Sequence, residues 1–286
     1  MLNRFDYLCP ENTEKAIQLL LDNPGAEILA GGTDLLLELR EKSTPDKVLI
    51  DIKKCADLQG IEEQDDFISI GALTTIREIR SSKIIKQEYK ALRDAADVFG
   101  CLEIRNRATI GGNIVNASPG AEYGTPLFAF EAEVEITGPN GSRVVPIDKF
   151  WFDLARVDLK KGEILKRILI PRIESQVLSG YLRLSRVKGM DLASLGVSVV
   201  VMDPGQVDKR EIRVAMAAVQ RTPYRNSEVE KLLSHKEIDP NLIEEAKAGL
   251  AASIAPRESS LRAKPAYKKA MVGTLMEKIL KSLKVS

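Results

Sequence analysis

The sequence predicts an α+β protein in two parts, and three observations carry that prediction. Over roughly the first 170 residues, short apolar runs alternate with segments in which apolar residues recur at helical spacing. The character then changes near residue 175, where three strand-like runs follow one another directly. Three helical segments fill the remainder. A chain of 286 residues is long enough for two cores, and the expected division is 1–175 and 176–286.

The elements can be justified in order. In "NTEKAIQLLLDN", Ala16, Ile17, Leu20 and Leu21 mark one face of a helix. "AEILAGG" reads as a short strand ending in the pair Gly31–Gly32, and "TDLLLELREK" as a helix with Asp34 in its first positions. "DKVLIDI" and "FISIGAL" are strands. Thr75 and Glu78 have the spacing of a capping box and open "TTIREIRSS". "KIIKQEYKALRDAADVFG" is the clearest helical pattern of the first part. "AEVEITGPNGSRVVPI" is a hairpin turning at Pro-Asn-Gly, and "EILKRILIPRI" is a strand closed by Pro171. In the second part "SGYLRLSRV", "SLGVSVVVM" and "EIRVAMAAVQ" form a three-stranded antiparallel sheet. Helices are expected at roughly 226–234, 240–254 and 264–282, with Pro265 as an early helical residue.

Composition excludes several functions. Lys and Arg number 42 against 41 Asp and Glu, a net charge of +1, so no bulk field draws the chain to nucleic acid or an anionic membrane. No apolar run reaches the ~20 residues of a span, which argues against membrane insertion, and "MLNRFDYLCPEN" lacks the apolar run of a signal peptide. Cys9, Cys55 and Cys101 are too far apart for an iron–sulfur or zinc pattern; a sparse, odd count favours reduced thiols and a cytoplasmic protein. The one histidine, His235, sits at a helix end before a turn. A metal site and a serine–histidine nucleophile are therefore not expected, and no side chain is assigned a catalytic role. Chemistry, if there is any, would come from a cofactor.

Two glycine pairs carry the functional signal. The first is Gly31–Gly32 with Thr33 and Asp34; the second is Gly111–Gly112 within "ATIGGNIVNASPG", flanked by Thr109 and Asn113. Glycine pairs allow tight turns and close backbone approach, and successive N–H groups make a nest for an anion. Two nests would hold a pyrophosphate, or a pyrophosphate and a ribose; two purely structural turns fit the residues equally. Neither the triphosphate loop spacing nor a G-x-G occurs. Thr33, Thr109, Asn113, Asn116 and Ser118 suit phosphate or ribose oxygens, and also caps and turns. Glu122 could accept from a ribose hydroxyl or a ring N–H, and Leu29, Ile114, Leu165 and Ile168 could cover a flat ring.

"LAGGTDLLLELR" followed by "IRNRATIGGNIVNASPGAE" resembles the FAD-binding medium subunit of the molybdenum-containing hydroxylases, the xanthine dehydrogenase family that includes the carbon monoxide dehydrogenase flavoprotein. "YLRLSRVKGMDLASLGVSVVV", "AAVQRTPYR" and "LRAKPAYKKAMVGTLMEKIL" resemble its C-terminal domain, so the likeness covers nearly the whole chain. The resemblance implies a two-part FAD-binding domain of the PCMH/vanillyl-alcohol-oxidase-like type, with subdomains of roughly 1–55 and 56–175, followed by a smaller α+β domain. It implies an extended FAD, with Leu29, Ala30, Gly31, Gly32, Thr33, Asp34 and Leu35 on one side of the pyrophosphate. Thr109, Ile110, Gly111, Gly112 and Asn113 would lie on the other, with Ser118 beside them and Leu165 as apolar cover. Glu122 stands where the family has aspartate, and Arg183 where it often has lysine.

The implied function is electron transfer in an oxidoreductase complex. Electrons would come from the 2Fe–2S clusters of an iron–sulfur subunit, in a complex whose large subunit binds molybdopterin, and pass to an acceptor such as NAD+. The implied assembly is a dimer of heterotrimers with a xanthine dehydrogenase-like parent. A stand-alone FAD-dependent oxidoreductase and a flavin-free scaffold of the same fold are the alternatives.

Overall fold

The computed structural model describes residues 4–41, 47–85, 88–187, 189–260 and 262–285. The chain opens with β1 (Phe5–Leu8), α1 (Thr13–Asp22), β2 (Glu27–Leu29), α2 (Leu35–Glu41) and β3 (Lys47–Asp51). These strands make a parallel sheet in the order β1-β3-β2, with Leu8 and Ile28 flanking Ile50. Asn12 starts α1 by accepting from the Lys15 N–H, which satisfies one of the donors a helix start leaves open.

A second sheet follows. The chain runs through β4 (Ile61–Glu63), β5 (Phe67–Gly71), α3 (Ile76–Ser81), α4 (Lys90–Val98), α5 (Leu102–Arg105), α6 (Ile110–Asn116) and α7 (Gly124–Ala129). It returns through β6 (Glu133–Gly138), β7 (Gly141–Pro146), α8 (Ile147–Phe150), β8 (Trp151–Asp153), β9 (Arg156–Val157) and β10 (Ile164–Pro171). The sheet order is β4-β5-β10-β6-β7, all antiparallel, so β10 arrives last and slots between β5 and β6. β8 and β9 form a small hairpin of their own.

The Thr75–Glu78 capping box forms as its spacing predicts. The helix expected over 83–100 is shorter, Lys90–Val98, and residues 86 and 87 of that stretch lie outside the described residues, as does Lys42 of the second expected helix. Ser82 gives the reason: its hydroxyl accepts from the N–H groups of Ile84 and Ile85, which offers the backbone an alternative to helix. "ATIGGN" is not a loop. Thr109 accepts from the Gly112 N–H and starts α6, so both glycines sit in a helical turn.

The last part comprises β11 (Val177–Leu184), β12 (Leu195–Met202), β13 (Glu211–Ala217), β14 (Tyr224–Arg225), α9 (Ser227–Leu233), α10 (Pro240–Ser253) and α11 (Pro265–Ser282). Its sheet is antiparallel in sequential order, and the two-residue β14 adds a fourth, edge strand to the three expected. A pair of residues is too short to show a period. All of β12 is buried. Leu195, Val197, Val199 and Val201 share a core with Val272, Met276 and Ile279 of α11. Val200 and Met202 point the other way, into the core shared by the first part's helices and β10. That two-sided cover explains why "VSVVV" is apolar without alternation. Polar groups at the junction are paired: the Ser179 hydroxyl donates to Glu88 O and accepts from the Ala91 N–H, both from the α4 region.

Candidate functional site

The two glycine segments meet in space. A Cβ on Gly31 would stand 2.2 Å from the Arg107 carbonyl oxygen, and a Cβ on Gly111 would stand 2.6 Å from the Ala72 carbonyl oxygen. Each pair thus uses one glycine for backbone-to-backbone packing. The second member behaves differently. Gly32 adopts φ +74°, and Gly112 is exposed, its absent side chain facing only the Thr109 hydroxyl at 3.0 Å. Asn116 ties the two segments together by donating to Asp34 Oδ2 at 3.2 Å.

Between them lies a cleft of about 500 Å³, of the size that holds small ligands. Ala30, Gly31, Gly32, Thr33, Asp34, Leu35, Thr109, Gly111, Gly112, Asn113 and Leu165 all line it. Seven expected residues do not. Leu29 is buried against Leu39 and Leu49, because strand alternation turns it away from the cleft. Ile110 is fully buried in the main core. Ser118 lies past the end of α6, in the turn that its carbonyl closes by accepting from Ala121 N–H. Glu122 and Arg183 pair with each other, Nη1 to Oε1 at 2.5 Å, both side chains 5% exposed. Arg183 also donates to the carbonyls of Asp191 and Gly189, so it fastens the β11–β12 loop to the segment before α7. Ile114 and Ile168 are completely buried and cover no cleft surface.

The two segments present different chemistry. The N–H groups of Gly32, Thr33, Asp34 and Leu35 have no acceptor among the described residues. Four successive N–H groups without an acceptor are what an anion nest requires. The second segment does not have them. Ile110 N–H donates to Thr74 O, Gly111 N–H to Ala72 O, and Gly112 N–H to the Thr109 hydroxyl. Its donors are committed to the turn that follows β5 and to the Thr109 cap, so what it offers the cleft is the bare surface of Gly112 and the side chain of Asn113. Asn113 Oδ1 is buried and has no hydrogen-bond partner among the described residues.

Electrostatics follow the geometry. Asp34 is exposed overall, yet the cleft walls desolvate its carboxyl and Glu38 stands near, and both push its pKa up. Burial raises Glu122 as well, with Arg183 opposing that shift. Behind the first loop, Lys53 pairs with buried Asp51 at 2.6 Å and donates to the Ala30 carbonyl at 3.3 Å. Tyr7 bonds the same carboxylate. Among the described residues no group of three His, Cys, Asp or Glu is placed to hold a metal, and no helix is long and apolar enough to cross a membrane.

Further residues line the cleft that the sequence analysis did not single out. Lys160, Lys161 and Gly162 form a turn before β10, and Ala72, Phe99 and Ile28 supply apolar wall. A "KKG" turn carries no local signature of a ligand, and the apolar residues read simply as core.

Four successive free N–H groups in a loop lining a cleft, with Asn113 and apolar residues on its other walls, suit a ligand that carries an anionic bridge and both polar and apolar parts. FAD has that composition, so the residues present fit it. Family models agree. Residues 3–173 match the FAD binding domain in molybdopterin dehydrogenase, and residues 180–283 match the CO dehydrogenase flavoprotein C-terminal domain. The chain belongs to the FAD-binding medium subunits of the molybdenum-containing hydroxylase family. It is 32% identical over 268 residues to the xanthine dehydrogenase FAD-binding subunit of Escherichia coli O157:H7, covering 93% of this chain and 91% of that protein. It is equally 32% identical over 278 residues to the carbon monoxide dehydrogenase medium chain of Hydrogenophaga pseudoflava, covering 97% and 96%. The solved carbon monoxide dehydrogenase of that organism superposes with a TM-score of 0.92 at 31% identity, over 99% of this chain and 98% of that one.

Proposed function

We propose that this chain is the electron-transfer subunit of a molybdopterin-dependent hydroxylase, holding FAD in the cleft between the Ala30–Leu35 loop and the start of α6. The observation that carries the reading is the set of N–H groups from Gly32 to Leu35 without an acceptor among the described residues, in a loop that lines the same cleft as Gly112 and Asn113. The N–H groups from Gly32 to Leu35 take the pyrophosphate, Asn113 lies beside a polar part of the ligand, and Leu165 and Phe99 lie under apolar parts. Leu29 and Ile110 act by packing; Ser118, Glu122 and Arg183 fix the segment that follows α6. FAD held by these residues would supply one- and two-electron redox chemistry. The chain's own part is to bind, orient and shield, and no side chain moves a proton.

The electrons come from the 2Fe–2S clusters of an iron–sulfur subunit, in a complex whose large subunit binds molybdopterin, assembled as a dimer of heterotrimers in the cytoplasm. NAD+ is the acceptor and the parent is xanthine dehydrogenase-like in this reading; equal identity to a xanthine and a carbon monoxide relative supports the coarser class more than either member. The FAD-binding domain is residues 1–175 and the C-terminal domain 176–286, divided where the antiparallel β11–β14 sheet begins.

The test is an absorption spectrum of the purified chain, with the released cofactor identified after acid precipitation. One FAD per chain supports the reading. A colourless chain that refuses added FAD overturns it, and FMN in place of FAD would mean that the cleft holds a shorter ligand.

A further inference from the structure

The turn that leads into β10 lines the cleft and is held by a residue outside it. Arg143, on β7, directs its whole guanidinium at this turn. Nε and Nη2 donate to the two carboxylate oxygens of Glu163 at 2.9 and 2.7 Å. Nη1 donates to Asp158 Oδ2 and Nη2 to the Asp158 carbonyl, both at 2.7 Å. The Glu163 carboxylate also accepts from the Lys160 N–H at 2.7 Å, and the Glu163 N–H returns to the Lys160 carbonyl at 3.0 Å. One planar fork therefore fixes both ends of the segment 158–163. The other side of the turn is pinned by Gly162, at φ +79°, where a Cβ would stand 2.8 Å from Leu21 of α1.

We propose that Arg143 is a positioning residue for the cofactor cleft: by clamping Asp158 and Glu163 it sets the wall formed by Lys160, Lys161 and Leu165. Arg143 itself does not line the cleft, whereas the turn it holds contributes every residue from Leu159 to Leu165 to the lining. The inference rests on the reading of this cleft as the FAD site. A lysine at 143 cannot replace the fork, because a single ammonium cannot satisfy two carboxylate oxygens, a second carboxylate and a carbonyl at once.

The experiment uses the full chain stripped of flavin, titrated with FAD and followed by flavin fluorescence, with the unfolding temperature of the flavin-free protein measured alongside. Arg143→Ala and Arg143→Lys should both raise the Kd for FAD about 10- to 100-fold, the range seen when a group that orients a site is lost. Asp158→Asn, a milder change that leaves the Glu163 fork in place, should raise it less. Guanidinium ion added at concentrations far below denaturing ones should restore affinity to Arg143→Ala and leave Arg143→Lys unchanged; the loss of affinity in Arg143→Lys should come with a flavin-free unfolding temperature near the parent's, a split that a merely structural role would not give. Arg80→Ala, which breaks an exposed pair with Asp97, should leave the Kd unchanged. Parent-like affinity in Arg143→Lys and Asp158→Asn would overturn the assignment even if Arg143→Ala did not fold. A parent chain that takes up no FAD would overturn the cleft reading and the assignment together, and so separates the two failures.

Discussion

Gly31 lies against the main chain of Arg107, so close that a Cβ would meet both its carbonyl oxygen at 2.2 Å and its carbonyl carbon at 2.9 Å. This contact joins the parallel-sheet subdomain to the helical segment that leads into α6. It also explains why the sequence carries glycines in pairs. Gly31 and Gly111 are contact glycines; Gly32 and Gly112 are cleft glycines. The first class answers to stability, the second to the ligand.

The two classes should separate on mutation. Gly31→Ala meets backbone rather than a movable side-chain tip, so it should cost at least the ~1–3 kcal/mol of an overpacked core and lower FAD occupancy with it. Gly112→Ala meets only the Thr109 hydroxyl at 3.0 Å, in a helix where alanine is favoured by about 1 kcal/mol. Its unfolding midpoint should stay near the parent's while FAD affinity falls. Denaturant unfolding of the flavin-free chains, set beside FAD titrations, checks both; equal loss of stability in the two variants would refute the division.

The Glu122–Arg183 pair is buried on both sides, 5% exposed each, and joins the first part to β11. Removing one member strands a buried charge. Arg183→Met alone should cost ~3–5 kcal/mol, whereas Glu122→Leu with Arg183→Met together should be far milder. A double-mutant cycle on unfolding free energy measures the coupling. Additive losses would show that the pair does not act as a unit.

How legible was this in the sequence? Elements with a long period, such as α1, α11 and the β6–β7 hairpin, were readable because their spacing repeats. The β14 strand was not, being two residues of edge. The 83–100 helix was overextended because Ser82 diverts two N–H groups, a local competition that periodicity does not register. For the site, the residues flanking the first glycine pair were legible, since a strand–glycine–helix order implies open N–H groups. The second pair has the same glycines, yet its donors are spent, Gly111 N–H on the Ala72 carbonyl thirty-nine residues upstream and Gly112 N–H on the Thr109 hydroxyl. Lys160, Lys161 and the Arg143 clamp were hidden for the same reason: their meaning lies in tertiary contacts.

Lys268 offers a test with a sign. It is 4% exposed, and its ammonium donates to the Ala218 carbonyl at 2.6 Å. Burial, aided by Arg257 and Arg262, lowers its pKa below the usual 10.5. In the window between that lowered value and 10.5 the unfolded chain binds more protons than the folded one, so this lysine makes stability rise with pH. Lys268→Met should lose that rise. Unfolding free energies measured at neutral pH and on the approach to 10.5 should diverge between parent and variant, the parent gaining. Parallel curves would mean that Lys268 stays charged at no cost.

Trp151 supplies the last test because it is the chain's one tryptophan. Its indole N–H donates at 2.7 Å to the Ile114 carbonyl, inside the last turn of α6, and its ring is 3% exposed. α6 ends at Ala117 in the left-handed region, and its start carries Gly112 and Asn113 into the cleft. The indole therefore reports on the same short helix that forms one cleft wall. Trp151→Phe keeps most of the packing with Phe128 and leaves the Ile114 carbonyl with the Ala117 N–H as its donor, so the loss of the indole hydrogen bond should cost ~0.5–1.5 kcal/mol. FAD affinity should fall with it, because seven residues of helix cannot stay in place by propensity alone. In the parent chain, FAD addition should quench tryptophan emission by energy transfer to the flavin, saturating at one equivalent. Gly112→Ala should show the same initial emission, since α6 is intact, and quench only at higher FAD. If FAD quenched the two proteins identically, the cleft beside Gly112 would not be where the flavin cofactor binds.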